Sequence, residues 1–287
     1  MSRLFREMQE AEKHSVKQPA VNGALGALLM NEFGEDAQIA RPTSRFEVGR
    51  SISLRAKMRP ILLASDGEGS TQGALEAYRA VRTKLTRFQA AQGIRSVVVS
   101  SAGMGEGKTL STLNLGISLA QLQTQHVLLV DGDIRTAGLS TLAGASGAPG
   151  LSEVLTGQAT FEAALVATDI SKLYVVGAGA VTTAASDQFA GARWREFVGW
   201  CHETFDMVIV DSPPILGLAD FDLISAACDG VLIIVRAGKT NREALAETVE
   251  HLQGKKLLGV ILNGMQTQPS NYNGYYYYSR GKGRTVR

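Results

Sequence analysis

Six short, almost wholly apolar runs, at residues 96–100, 127–130, 173–176, 207–210, 230–235 and 257–262, alternate with stretches of helical length. Runs without a polar alternate face suit strands covered on both sides, as in a parallel sheet. The stretches 74–89, 109–122, 152–167, 193–203 and 241–252 read as helices. Ala74, Tyr78, Val81, Leu85 and Phe88 share a stripe on the first, and Leu245, Val249 and Leu252 share a face on the last. The alternation predicts one α/β domain: a doubly wound, mostly parallel sheet with helices on both faces. At 287 residues, with 45% hydrophobic and 20% charged, the chain is long enough for such a core and is neither fibrous nor wholly disordered in composition.

The periodic pattern occupies about 61–264. Residues 1–60 show no sustained period and read as an irregular N-terminal arm. Inside it, Leu4, Phe5, Met8 and Ala11 lie on one helical stripe of residues 1–14, which suits either a docking helix or a terminus packed on the body. Residues 265–287 read as a flexible, basic, tyrosine-rich tail. Of seven tyrosines, five (Tyr272, Tyr275, Tyr276, Tyr277 and Tyr278) lie in the last sixteen residues. The tail has no acidic residue and carries Arg280, Lys282, Arg284 and Arg287, so a net charge of +2 divides into +4 on the tail and −2 on residues 1–264. The near-neutral total excludes a strongly basic nucleic-acid binder. Cys201 and Cys228 are too few for a disulfide framework and suit a reducing compartment. No apolar run reaches the ~18 residues of a membrane span, and the first residues lack a signal-peptide core. A soluble, cytoplasmic protein is expected.

The run at 96–100 leads into Ala102-Gly103-Met104-Gly105-Glu106-Gly107-Lys108-Thr109 and then into a helical pattern. Glycines at this spacing let successive backbone N–H groups turn inward as an anion nest, and the helix start adds its positive dipole end. A lysine there reaches the β/γ-phosphates, and the following hydroxyl ligates Mg²⁺. The expected nucleotide contacts are Gly103, Met104, Gly105, Glu106, Gly107, Lys108, Thr109 and Leu110. Asp131 and Asp133 end the run at 127–130, and Asp211 ends the run at 207–210. Ligands sit at the carboxyl ends of strands in open α/β sheets, so the three carboxylates are expected to converge on the loop. A strand-end carboxylate of this kind holds Mg²⁺ directly or through water.

These residues resemble the Walker A, A′ and B motifs of bacterial tyrosine kinases, the CpsD/CapB and Wzc cytoplasmic-domain group of exopolysaccharide and capsule export. Three further features match. Glu76, Arg79 and Arg82 resemble the family's ExxRxxR helix of ring-like self-association, although their spacing alone equally suits a solvated charged face. The tyrosine tail resembles the family's autophosphorylated cluster. Asp220, nine residues past Asp211, and Arg236 also fit the pattern. Asn263 stands where relatives of this ATPase superfamily contact adenine. Met104 replaces a common proline, Thr136-Ala137-Gly138 lacks the usual basic residue and proline, and 177–189 lacks a Pro-rich stretch.

The resemblance implies a P-loop NTPase fold of the MinD/ParA kind and an ATP- and Mg²⁺-dependent protein-tyrosine kinase. Lys108 with the loop holds phosphates, and Thr109, Asp133 and Asp211 serve Mg²⁺. Asp131 faces the tyrosine, a hydroxyl of pKa about 10 that needs a base; on sequence alone the roles of Asp131 and Asp133 are exchangeable. It also implies a ring-like homo-oligomer, a separate membrane-anchored activator or polysaccharide co-polymerase that recruits the chain to the inner face of the membrane, and a cognate tyrosine phosphatase. Each phosphate would add about −1.5 to −2 to the tail, enough to reverse its charge and release it from acidic neighbours. The rivals are an ATP-switched positioning protein of the MinD/ParA kind, whose signature lysine would occupy position 103, here Gly103, and a catalytically silent nucleotide-binding scaffold.

Overall fold

A computed structural model describes residues 48–54, 69–147 and 149–265. The chain divides into two units, Met1–Arg45 and Phe46–Arg287, and every described residue belongs to the second. The stripe at 1–14 and the tail tyrosines lie outside the described residues.

Eight strands form one sheet: β1 (Ser51–Ile52), β2 (Ser96–Ser101), β3 (Val127–Asp131), β4 (Leu165–Thr168), β5 (Leu173–Val176), β6 (Met207–Asp211), β7 (Gly230–Arg236) and β8 (Leu257–Asn263), in the order β1-β4-β5-β3-β6-β2-β7-β8. All neighbours are parallel except β4 and β5. The helices are α1 (Gly69–Gln92), α2 (Lys108–Ala120), α3 (Gly138–Ala143), α4 (Leu151–Leu155), α5 (Ala185–Ala190), α6 (Ala192–Thr204), α7 (Asp220–Ser225) and α8 (Arg242–His251). The six apolar runs become β2, β3, β5, β6, β7 and β8. The first four are all but wholly buried, and the alternation of side chains splits each between two cores. Val97 and Val99 pack with Leu85 of α1 and with Leu113 and Ile117 of α2. Val98 packs on the other face, with Trp194 and Phe197 of α6 and Phe221 of α7. That two-sided burial is what a continuous apolar strand requires.

One expectation needs correction. The stretch 152–167 is not one helix: α4 ends at Leu155, Gly157 turns at φ +76°, and Leu165–Thr168 form β4 against β5. Its length suits one helix, but its apolar positions serve a short helix and then a strand. Within the stretch expected to be an irregular arm, Ser51–Ile52 form β1, which pairs in parallel with β4. The short helices α3, α5 and α7, six residues each, have too few turns to show a period.

The phosphate-loop strand β2 lies between β6 and β7. The chain leaves it to build β3 on one side and returns to build β7 on the other. The crevice at the carboxyl end of β2 and β6 is therefore the topological switch point, where doubly wound sheets place their ligands.

Candidate functional site: a phosphate loop over three buried carboxylates

The loop from Gly103 to Gly107 joins β2 to α2. Gly105 and Gly107 adopt left-handed backbone, at φ +71° and +95°, which glycine enters without the steric cost of a Cβ. Helix α2 starts at Lys108 with Gly107 as N-cap and no side-chain cap. Its first N–H groups are thus left for a ligand, the arrangement that binds anions. Ser101 Oγ donates to Gly103 O at 2.7 Å and fixes the entry to the loop. Met104 at the tip is 74% exposed, Leu110 in the first turn points to its surface, and Glu106 is tucked under the loop at 3% exposure.

The three predicted carboxylates meet beneath this loop. In register, Asp131 of β3 stands beside Asp211 of β6. Asp131 and Asp211 are wholly buried, and Asp133 nearly so. Lys108 Nζ lies 3.3 Å from Asp133 Oδ2. Thr112, one turn beyond Lys108, points its hydroxyl at Asp211 Oδ1, at 3.4 Å, and the nearby Thr109 hydroxyl acts to lower the Asp211 carboxyl. Asp131 Oδ2 accepts from both Ser140 N (2.7 Å) and Ser140 Oγ (2.6 Å). The Ser140 hydroxyl in turn accepts from Ala178 N at 2.7 Å, tying the carboxylate to the segment after β5.

Burial penalises the ionised form of these acids. It pushes Asp211 up to about 7, against the pull of the Lys108 ammonium and with the push of the Asp131 charge. It also raises Asp131, offset in part by the two Ser140 hydrogen bonds. One oxygen of each acid, Asp131 Oδ1, Asp133 Oδ1 and Asp211 Oδ2, is buried with no hydrogen-bond partner, as is Glu106 Oε2. Buried carboxylate oxygens left bare at the foot of an anion nest fit a divalent cation brought in with phosphates. Asp133 and Asp211 are, with Thr109, the residues that the sequence reading assigns to Mg²⁺. Among the described residues no three His, Cys, Asp or Glu side chains form a metal cage by themselves, and Mg²⁺ characteristically takes the rest of its shell from phosphate and water.

Arg135, two residues past Asp133, grips Asp220 with Nε at 2.5 Å and Nη2 at 3.1 Å, and Ser186 donates to the same carboxylate. Asp220 is only 1% exposed. Although its burial alone would raise it, these hydrogen bonds hold Asp220 below the ordinary carboxylate range. The fork–fork pair fixes the Asp131–Arg135 turn to α7.

Asn263, expected at adenine, ends β8 with Nδ2 on Glu106 O at 2.9 Å. The ExxRxxR residues divide. Glu76 and Arg79 pair with each other on the exposed face of α1, a contact of little energetic weight. Arg82 turns inward and donates to Ser118 O at 2.8 Å, anchoring α1 on α2. Ser140, Thr112 and Lys239, each in contact with the site, are not singled out by the sequence. Only Thr112 carries a signal there, its i+4 spacing from Lys108.

Gly107→Ala is expected to weaken nucleotide binding by roughly a hundredfold. The new Cβ would meet Asn263 Nδ2 at 2.1 Å while the backbone sits at φ +95°, so clash and strain act together. Gly105→Ala meets only the far end of Lys239, at 2.6 Å, and is expected to cost less. Equilibrium titration of both variants with a fluorescent nucleotide checks the order.

The sequence matches the AAA domain family over residues 94–258. It is 32% identical over 203 residues to the tyrosine-protein kinase YwqD of Bacillus subtilis, covering 70% of this chain and 85% of that protein. The kinase domain of the Escherichia coli tyrosine kinase ETK superposes with a TM-score of 0.67 at 27% identity, over 77% of this chain and 87% of that one. The septum site-determining protein MinD of Pyrococcus horikoshii, complexed with Mg-ADP, is more distant: TM-score 0.50, 26% identity, 58% of this chain and 69% of that one. The chain belongs to the AAA domain family and, within it, to the bacterial tyrosine-protein kinases.

Proposed function

We propose that the chain is an ATP- and Mg²⁺-dependent autophosphorylating protein-tyrosine kinase. Its substrate is its own tyrosine tail, modified in trans within an oligomer, and it regulates polymerisation or export of an exopolysaccharide or capsule. The observation that carries the reading is the set of bare carboxylate oxygens of Asp131, Asp133 and Asp211 beside Lys108, in a chain 32% identical to a named tyrosine kinase. The loop amides and Lys108 bind and orient the transferring phosphoryl group. Mg²⁺, when bound, neutralises charge on the phosphates. Asp131, held by Ser140 through one oxygen with the other bare, is the acceptor for the tyrosine proton. Its raised pKa brings it closer to the operating pH, where a general base is most effective.

The positioning-ATPase alternative has less support. Position 103 is Gly103, with no lysine to reach across to a second nucleotide, and the likeness to MinD covers less of the chain than that to the ETK kinase domain. No helix among the described residues is long and apolar enough to cross a membrane. In this reading a separate membrane-anchored activator recruits the chain, Glu76 and Arg79 contribute to the subunit contact, and a tyrosine phosphatase resets the tail.

The reading is tested by incubating the full chain with ATP and Mg²⁺, with and without an activator's cytoplasmic peptide, and locating phosphate by mass spectrometry. Phosphotyrosine at Tyr272 or Tyr275–Tyr278, lost when all five are changed to phenylalanine, is the expected result. A tail without phosphate under both conditions overturns it.

A further inference from the structure

Three consecutive carbonyls of the phosphate loop are each held by a side chain from the far side of β2. Lys239 Nζ donates to Met104 O at 2.7 Å, Arg236 Nη1 to Gly105 O at 3.0 Å and Asn263 Nδ2 to Glu106 O at 2.9 Å. None of the three donors belongs to the loop, to α2 or to the strands that carry the acids. Arg236 ends β7, Lys239 lies in the turn that follows, and Asn263 ends β8.

In a planar trans peptide the C=O of one residue and the N–H of the next point in opposite directions. Holding the carbonyls of Met104, Gly105 and Glu106 outward therefore turns the N–H groups of Gly105, Glu106 and Gly107 inward. Those amides line the anion nest.

The donors are themselves braced. Ala237 N donates to Asn263 O at 2.8 Å, closing the end of β7 on the end of β8, and Lys239 N donates to Arg236 O at 3.1 Å. Arg236 N donates to Thr240 Oγ1 at 3.0 Å. The loop is shaped to receive them, since a Cβ at Gly105 would stand 2.6 Å from Lys239 Nζ and one at Gly107 would stand 2.1 Å from Asn263 Nδ2. The two left-handed glycines thus serve a close approach as well as a turn.

We infer that Lys239 is a positioning residue of the nucleotide site, the outermost point of a three-donor clamp that keeps the amides of Gly105, Glu106 and Gly107 turned toward the polyphosphate. The inference rests on the ATP-site reading and adds a determinant outside the three nucleotide motifs. An exposed lysine ordinarily extends into water; this one ends on a loop carbonyl. Its ammonium also places a positive charge beside the loop that takes an anion.

The test is equilibrium binding of a fluorescent ADP analogue with Mg²⁺ to the full chain and to Lys239→Ala, Lys239→Arg and Lys108→Ala variants. Loss of one hydrogen bond predicts roughly fivefold weaker binding for Lys239→Ala. Lys239→Arg is expected to bind within about twofold of the parent, and the unfolding temperature of nucleotide-free Lys239→Ala to match the parent's. Binding by Lys239→Ala as tight as the parent's overturns the clamp. So does weaker binding accompanied by a lowered unfolding temperature of the free protein, because the residue would then support the fold and not the loop. A parent chain that binds no nucleotide, or binds it no better than Lys108→Ala, overturns the ATP site itself, so the two failures are distinct.

Discussion

Lys108→Met is expected to lower tail phosphorylation by roughly a hundred- to a thousandfold, the cost of removing one preorganised charged donor from a transferring group. Lys108 is the first residue of α2 and the cation nearest Asp133, 3.3 Å away at 12% side-chain exposure. In the free protein it offsets the mutual repulsion of three buried acids. With nucleotide bound, the same ammonium can turn to the phosphates as the acids take up Mg²⁺. Methionine keeps the stem and removes the charge, so helix α2 keeps its packing. The free variant avoids an uncompensated buried carboxylate by protonating it, since neutralisation costs less than burying a bare charge. A folded, monodisperse Lys108→Met protein without tail phosphotyrosine after ATP–Mg²⁺ treatment is the expected outcome. Phosphorylation at the parental rate would remove Lys108 from the chemistry. Lys108→Arg is not expected to rescue, because a planar guanidinium does not reproduce the compact ammonium that a phosphate loop surrounds.

The parts of the site that are legible in the sequence are those where one residue's chemistry and its place on a buried strand coincide. Asp131 and Asp211 close runs of apolar residues, so the sequence alone places them at strand ends. Lys108 and Thr109 follow a glycine pattern that has few other uses. Ser140, Lys239 and the pairing of Arg135 with Asp220 are not legible in the same way. Each acts through a tertiary contact with a residue far along the chain, and nothing in its own neighbourhood marks it. Lys239 reaches the loop across 135 positions, and no local rule distinguishes the lysine of the 236–240 run from a solvated one. The failed helix at 152–167 has the opposite cause. Its length suits a helix, but Gly157 and the pairing of β4 with β5 divide it. Arg82 shows why spacing on a helix face does not settle a role. It shares the three-residue step of Glu76 and Arg79, yet its side chain is committed to Ser118 O within the same subunit.

The free protein is expected to lose stability as pH rises from 5 to 8, and ATP–Mg²⁺ is expected to restore it. Asp211 titrates at about 7 in the fold against 3.8 for the ordinary group. A carboxylate raised in this way contributes stability in its protonated form. That contribution is complete below the unfolded pKa and is lost as pH climbs through the folded one. The buried Asp131 is raised as well and adds in the same direction. Asp220 and Asp222 are lowered instead; their contribution is lost only at more acid pH, so the window from 5 to 8 reports the site. For Asp211 alone the difference between 3.8 and about 7 corresponds to on the order of 4 kcal/mol. About two of those pH units lie between pH 5 and the folded value of about 7, on the order of 3 kcal/mol; at roughly 2–4 °C per kcal/mol for a domain of this size, the unfolding temperature is expected to fall by about 5–10 °C across the window. Mg²⁺ reverses the sign, because a cation against Asp211 favours the ionised form that burial penalises. The gain from ATP–Mg²⁺ should therefore grow with pH while the gain from ATP alone stays nearly level. Thermal unfolding at pH 5.5, 6.5, 7.5 and 8.5, with and without Mg²⁺, measures both. Asp211→Asn is isosteric and cannot ionise, so it should flatten the decline in the free protein and abolish most of the Mg²⁺-dependent gain. A parental unfolding temperature that stays level or rises from pH 5 to 8 would show that Asp211 is already ionised in the free protein, with Lys108 as its counter-ion instead of a metal.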